Sequence, residues 1–172
     1  WIMSYLWSIQ GEIYLFGWLA PKESLDEELR LLQQRIDQLI AQGHKVVHVG
    51  TSAGASAAIN LFAIRPDIAR VVNIDGRVRK GNHSGRRSLD SAAAHNPIFK
   101  ESVLRCEAGL KSLTINRLAG ILTLVPLWDE IVPADTAVIE GAKNVKVWCA
   151  GHILSIFVAM LFCRRTILKF IA

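Results

Sequence analysis

The stretch that most constrains this chain is residues 46–54. An apolar, β-branched run at 46–49 leads without a spacer into Gly-Thr-Ser-Ala-Gly at 50–54, and small, helix-compatible residues follow. This order predicts a strand, a sharp turn and a helix, with Ser52 at the turn and its hydroxyl above the edge of a sheet. We expect Gly50 and Gly54 to remove the Cβ atoms that would collide as the helix closes on the strand.

An amphipathic helix is predicted before this stretch. Ser24 and Glu27 have the spacing of a capping box, in which each side chain satisfies a backbone N–H of the first turn. Apolar residues then recur at three- and four-residue steps from Leu25 to Ile40, and Gly43 is a natural helix end. The pattern predicts a helix that lays one apolar face on a sheet.

The remaining elements alternate between strands and helices. Strands are predicted at 13–16, 70–75, 121–125 (ending before Pro126) and 145–149, and helices from the turn to about residue 65 and at 97–113, 133–140 and 153–163. A strand, a helix and a strand within about 30 residues imply a parallel pair. The sequence therefore predicts one α/β domain over residues 1–172, with a mostly parallel sheet flanked by helices and a helical insertion at about 76–118.

Charge and hydropathy disfavour two function classes. The net charge is +5, from 20 basic and 15 acidic residues, and five of the basic residues lie between Arg77 and Arg87. Because the excess is local, it gives little support to nucleic-acid binding. The apolar run at 153–163 is too short for a membrane span of about 20 residues. We therefore expect neither a nucleic-acid partner nor a stable membrane span.

The cysteines indicate the compartment. Cys106, Cys149 and Cys163 are odd in number and lack Cys-x-x-Cys spacing, which favours free thiols in a reducing, cytoplasmic environment. The chain opens on Trp1 and not on Met, so a targeting segment upstream stays open as an alternative. The sequence leaves the oligomeric state open.

Two residues are candidate partners for Ser52. A serine nucleophile needs a base within hydrogen-bond reach and an acid that orients this base. Asp129 follows the strand predicted at 121–125, and His152 follows the strand predicted at 145–149. Asp75 also ends a predicted strand and is the alternative acid. The nucleophile, acid and base are therefore predicted at successive strand ends.

Three features of the sequence resemble the α/β-hydrolase family. They are the Gly-x-Ser-x-Gly turn at 50–54 (the elbow), the Asp-x-x-Val-Pro sequence at Asp129 and the Gly-His pair at His152. The resemblance implies a catalytic triad of Ser52, Asp129 and His152, with the backbone N–H of Ala53 as one oxyanion donor. It implies that no metal or cofactor is needed, and that the insertion forms a cap. It also implies that a central strand, with the loop supplying the second oxyanion donor, lies upstream of Trp1, so that the chain is N-terminally incomplete.

Two functions follow from this resemblance. The first is a serine hydrolase, of the esterase or lipase kind, that acts on a carboxylic ester or thioester of a small acyl substrate. The alternative is a degenerate, non-catalytic member of the fold that serves as a binding or interaction module. Arg77, Arg79 and Lys80 are interpreted as part of a solvated basic loop, with contact to an anionic leaving group as the alternative.

Overall fold

The computed structural model describes Glu12 and residues 24–172. Its elements are α1 (Leu25–Ala41), β1 (His48–Thr51), α2 (Gly54–Ile64), β2 (Val71–Ile74), a 3₁₀ turn (Gly85–Arg87), α3 (Leu89–Ala92), α4 (Pro97–Leu110), α5 (Ile115–Leu118), β3 (Ile121–Trp128), α6 (Ala134–Ala137), β4 (Lys143–Ala150), α7 (His152–Phe162) and α8 (Arg164–Ile171). The strand predicted at 13–16 lies outside the described residues.

The four described strands form a parallel sheet in the order β1-β2-β3-β4. Successive residues of a strand point to opposite faces. Val71 and Ile121 therefore pack with α1 and α2 on one face, whereas Val72 and Leu122 pack with α7 and α8 on the other. This parallel sheet with helices on both faces confirms the predicted fold class.

Helix α1 begins and ends where the sequence predicts. The Ser24 hydroxyl accepts the backbone N–H of Glu27 at 3.2 Å, which caps the first turn. At the other end Gly43 has a φ of 85°, and its N–H donates to the carbonyl of Ile40 at 2.9 Å. Leu29 is among the buried residues of the face that packs on the sheet.

The expectation that Pro126 ends the third described strand is wrong, because β3 continues to Trp128. The carbonyl of Leu124 accepts a hydrogen bond from Asp75, just past the end of β2. The backbone of Pro126, two residues further along β3, faces the β2 side as well, but the pairing with β2 stops at Ile74. The missing N–H of proline is therefore not needed there, and β3 goes on pairing with β4.

The helices near the carboxyl end also differ from their predicted bounds. The helix predicted at 133–140 is shorter than expected and is limited to α6. The side chain of Asn144 hydrogen-bonds both the N–H and the carbonyl of Ile139, which holds the chain outside a helix there. The helix predicted at 153–163 begins one residue earlier, at His152. Helix α8 was not predicted; its buried residues, Ile167 and Ile171, are spaced one helical turn apart.

The insertion between β2 and β3 carries α3, α4 and α5. Helix α4 begins with Asn96 as its cap and ends at Leu110, three residues before the predicted end. It packs against α2 through buried polar groups, since Ser102 Oγ lies 2.8 Å from Ser56 Oγ and its carbonyl accepts Asn60 Nδ2 at 2.9 Å. The second half of the insertion is therefore attached to the body of the fold.

Candidate active site

The turn between β1 and α2 holds Ser52 in a left-handed backbone conformation, with a φ of 49°. A Cβ atom on Gly50 would lie 2.6 Å from Cα of Ala55, so only glycine lets α2 pass this close to β1. Sequence reasoning missed Gly76, where a Cβ would lie 2.1 Å from Cβ of Ala55. Its place directly after a strand was the available signal. At Gly54 the expected collision is not found, because no heavy atom of the described residues lies within 4 Å of a Cβ there.

The structure brings the three predicted site residues together. Oγ of Ser52 lies 2.8 Å from Nε2 of His152, and Nδ1 of the same ring lies 2.7 Å from Oδ2 of Asp129. In a neutral ring with its proton on Nδ1, that N–H donates to Asp129 and Nε2 accepts the hydroxyl of Ser52. This chain of hydrogen bonds can transfer a proton away from the serine oxygen.

Asp129 is fixed by the turn that follows β3. It is the first residue after the strand and is buried, and its Oδ1 accepts the backbone N–H groups of Ile131 at 2.5 Å and Val132 at 2.6 Å. With one carboxylate oxygen held by the backbone, the other faces the imidazole of His152. The loop after Asp129 thus determines the orientation of its carboxylate.

His152 is placed by the turn between β4 and α7. Gly151 has a φ of 94°, a conformation that favours glycine, and His152 is the first residue of the helix. The backbone N–H of His152 donates to Oε2 of Glu130 at 3.0 Å. Glu130 therefore contacts the backbone of His152 and is exposed.

Asp75 is a second carboxylate beside the same imidazole. Its Oδ2 lies 3.4 Å from Nδ1 of His152, further than the oxygen of Asp129, and it accepts the hydroxyl of Ser155. Asp75 is buried and has a φ of 50°. Its Oδ1 has no hydrogen-bond partner among the described residues. Sequence reasoning named Asp75 as an alternative acid, whereas the structure places both carboxylates at one ring.

The charges of these groups shift their pKa values. Burial disfavours a charged imidazole, but the hydrogen bonds and charges of Asp129 and Asp75 outweigh it and raise the pKa of His152 to about 9. Burial raises the pKa of Asp75 to about 6, assisted by the neighbouring Asp129. For Asp129, hydrogen bonds from His152 and the backbone outweigh burial and hold its pKa below the ordinary value. Asp129 is therefore ionised at neutral pH, whereas the pKa of Asp75 lies close to neutral pH.

Ser52 and His152 open onto a cleft of about 240 Å³. This volume is below the range of about 300–1,000 Å³ of typical ligand sites, so the cleft suits a small substrate. The N–H of Ala53 makes no hydrogen bond within the described residues, which leaves a donor beside the serine. The cleft is lined by Ser52, Ala53, Arg77, Ala92, Phe99, Ile131, Val132, His152 and Ile153.

Arg77 differs from its predicted environment. The side chain was expected in a solvated basic loop, but the residue is 1% exposed and lines the cleft. The backbone N–H of Val78 donates to the carbonyl of Thr136 at 3.0 Å, which attaches this part of the loop to the body. Lys80 and Arg86 are exposed, as predicted for a solvated loop.

Asp75, Asp129 and His152 also have the spacing of metal ligands. Their ligand atoms all lie within 4.8 Å of one another, a distance compatible with one shared ion. The same atoms surround Nδ1 of His152, and hydrogen bonding to this nitrogen accounts for their proximity.

Among the helices of residues 24–172, none is both long and apolar enough to cross a membrane.

The order of elements and the serine at the strand-to-helix turn define the class of this protein: the chain has the α/β-hydrolase fold. No model of a known protein family matches the sequence, and no curated protein matches it either.

Three of the solved structures with similar folds are a lipase, an esterase domain and a hydrolase. The chain resembles the monoacylglycerol lipase of Paleococcus ferrophilus with a TM-score of 0.64 and 16% identity, over 99% of this chain and 87% of the lipase. It resembles the esterase domain of a Rhodothermus marinus protein with a TM-score of 0.63 and 13% identity, over 99% and 80% of the two chains. A meta-cleavage product hydrolase of Pseudomonas fluorescens gives a TM-score of 0.53 and 12% identity, over 94% and 75%.

Proposed function

We propose that this chain is a serine hydrolase that cleaves a carboxylic ester or thioester of a small acyl substrate. The observation that carries this proposal is the continuous contact from Ser52 Oγ to His152 Nε2, at 2.8 Å, and from His152 Nδ1 to Asp129 Oδ2, at 2.7 Å. These are the distances at which a base can take the proton of a serine hydroxyl while an acid orients the base. The lipase and esterase among the similar structures support the same reaction class.

In the proposed reaction, Oγ of Ser52 attacks the carbonyl carbon of the substrate and its proton passes to Nε2 of His152. The oxyanion that forms is stabilised by the backbone N–H of Ala53. His152 then gives the proton to the leaving alcohol or thiol, and an acyl-serine remains. Water attacks this ester, with His152 taking its proton, and the carboxylic acid leaves as the proton returns to Ser52. Asp129 stabilises the imidazolium throughout.

The insertion at about 76–118 is proposed to act as a cap. Ala92 and Phe99, from α3 and α4, line the cleft together with His152 and Ile153. A wall of this kind limits the length of the substrate and reduces the access of bulk water to the site. The reaction as proposed uses only side chains and backbone of this chain, with no cofactor.

A fluorophosphonate probe, which phosphonylates activated serines, tests the proposal. We expect the probe to label the protein at Ser52, with labelling lost in Ser52→Ala and kept in Ser84→Ala, which removes an exposed serine of the basic loop. Peptide mass mapping identifies the labelled residue. Absence of labelling in folded protein would instead support the non-catalytic binding module, and labelling that persists in Ser52→Ala would contradict the assignment of Ser52 as the nucleophile.

A further inference from the structure

We infer that the cleft beside Ser52 takes a substrate that carries a carboxylate in addition to its scissile ester or thioester, and that Arg77 binds this carboxylate. The inference rests on the proposed function, because it names the substrate class of the same site. Its basis is a buried arginine that lines the cleft and whose hydrogen-bond donors are largely unpaired.

Among the described residues, the hydrogen bonds of Arg77 involve one of its three nitrogen atoms. Nη2 donates to the carbonyls of Lys80 at 3.2 Å and Arg87 at 2.8 Å. Nε and Nη1 are buried and have no partner among the described residues, which leaves three of the five N–H donors unused. Burying such donors without acceptors is unfavourable, so a ligand that supplies an acceptor stabilises the site.

Arg117 shows how an arginine is held when its role in this fold is structural. Its guanidinium donates to the backbone carbonyls of Phe62, Arg65 and Ile68 and lies 3.5 Å from the centroid of the Phe62 ring. Arg77 has no aromatic ring of this kind and no carboxylate in an ion pair with it, within residues 24–172. The two side chains therefore differ in how completely the protein satisfies them.

The acid that acts on Arg77 through space does not neutralise it. Asp135 attracts the guanidinium, but its carboxylate is 2.9 Å from Nε2 of His83 and is mostly exposed. The remaining wall of the cleft, apart from the catalytic pair, is apolar and includes Phe99 and Val132. A small apolar cleft with one uncompensated cation is complementary to a short carbon chain that ends in an anion.

The other basic residues nearby do not offer an equivalent site. A larger hollow of about 450 Å³ is lined by Arg79 and Lys80, but Glu107 and Asp135 line it as well. Its charges are therefore balanced within the protein. A carboxylate gains more at Arg77, because a charge-assisted hydrogen bond is stronger where water is excluded.

The test compares two esters of equal length, mono(para-nitrophenyl) glutarate and the corresponding terminal amide, which has no charge. We expect wild-type kcat/KM to favour the glutarate by about tenfold or more, as charge-assisted hydrogen bonds allow. In Arg77→Met this ratio should fall to about one or below. In Arg86→Met, which removes an exposed positive charge from the same basic segment, the ratio should keep its wild-type value.

A wild-type ratio of one or below, or a ratio that persists in Arg77→Met, overturns the inference. Because Arg77 is buried, the methionine variant is checked for folding by circular dichroism. If it does not fold, the ratio is measured in Arg77→Lys, which keeps the charge but not the geometry of the guanidinium. A kcat/KM ratio in Arg77→Lys below that of the wild type supports the inference, and an unchanged ratio overturns it.

Binding without catalysis separates this inference from the proposed function. In Ser52→Ala, we expect monomethyl glutarate to raise the melting temperature more than the uncharged amide of the same ester does. If the wild type hydrolyses both nitrophenyl esters equally and this difference is absent, the carboxylate site is wrong and the hydrolase proposal stands. If the difference is present but neither ester is hydrolysed, the binding site stands and the hydrolase proposal is wrong.

Discussion

Oδ2 of Asp75 lies 3.4 Å from Nδ1 of His152 in a buried site. The ring therefore contacts two carboxylates, since Asp129 is at 2.7 Å on the same nitrogen. Two negative groups beside one imidazole favour its charged form, and the pKa of His152 is raised to about 9. Because a general base must be unprotonated, this arrangement affects the pH at which the site works.

The first prediction concerns this pH dependence. In the wild type, kcat/KM for an uncharged ester should rise with pH and reach half its maximum near pH 9, as His152 loses its proton. Asp75→Asn removes one carboxylate, so the midpoint should move down by about one pH unit or more. Asparagine tolerates the positive φ of residue 75 and keeps an acceptor for Ser155, so the fold should persist.

The matched control for the pH profile is Asp135→Asn. Asp135 is mostly exposed and pairs with His83, whereas the carboxylates that raise the pKa of His152 are Asp129 and Asp75. Its removal should leave the midpoint of the profile unchanged. An identical midpoint in Asp75→Asn and the wild type would show that Asp75 does not hold the proton on His152.

The second prediction separates the two carboxylates by their effect on turnover. Asp129→Asn should lower kcat by about three to four orders of magnitude, because Nδ1 loses the acceptor that fixes the ring and its tautomer. Asp75→Asn, measured at the pH optimum of each variant, should lower kcat far less. Steady-state kinetics with an uncharged para-nitrophenyl ester measure both. The reverse order would assign the orienting role to Asp75.

The third prediction tests the packing of α4 on the body of the fold. Cys106 is buried in the core beside α2, and burial raises the pKa of its thiol. Cys149 and Cys163 are partly exposed. A thiol reagent should therefore modify these two under native conditions and reach Cys106 only when denaturant unfolds the protein. Rapid modification of all three thiols in native buffer would contradict the packing of α4.

The parts of the site that sequence predicts are those with local signals. The glycines and small residues around Ser52 specify a turn, and Asp129 and His152 follow predicted strands. Since the carboxyl ends of parallel strands meet at one edge of a sheet, residues far apart in sequence are brought together there. The contact between Ser52 and His152 at 2.8 Å is consistent with this rule.

The parts that sequence did not predict depend on how loops approach each other in space. The charge of Arg77 indicated a solvated loop, but the neighbouring Val78 donates its N–H to the carbonyl of Thr136 and Arg77 is buried. Likewise, no pattern indicated that Asp75 and Asp129 would share one imidazole. Pro126 was misjudged because its missing N–H matters only where a neighbouring strand needs it.

The last prediction compares the two glycines of the elbow. A Cβ on Gly50 would lie 2.6 Å from backbone of Ala55, and the backbone of a helix cannot move aside without displacing Ser52. Gly50→Ala should therefore lower the free energy of unfolding by about 2 kcal/mol or more and reduce kcat. A Cβ on Gly54 has no described heavy atom within 4 Å, and the residue lies at the first position of α2.

Gly54→Ala should therefore change the free energy of unfolding by less than about 1 kcal/mol, towards greater stability, because alanine loses less backbone entropy in a helix. Urea denaturation gives both unfolding free energies, and hydrolysis of an uncharged ester by the two variants shows whether the position of Ser52 is disturbed. The contrast follows from what each added Cβ would meet: at Gly50 it would collide with the backbone of Gly54 and Ala55, whereas at Gly54 it would have no described heavy atom within 4 Å. Equal losses of unfolding free energy in Gly50→Ala and Gly54→Ala would mean that α2 does not approach β1 as described.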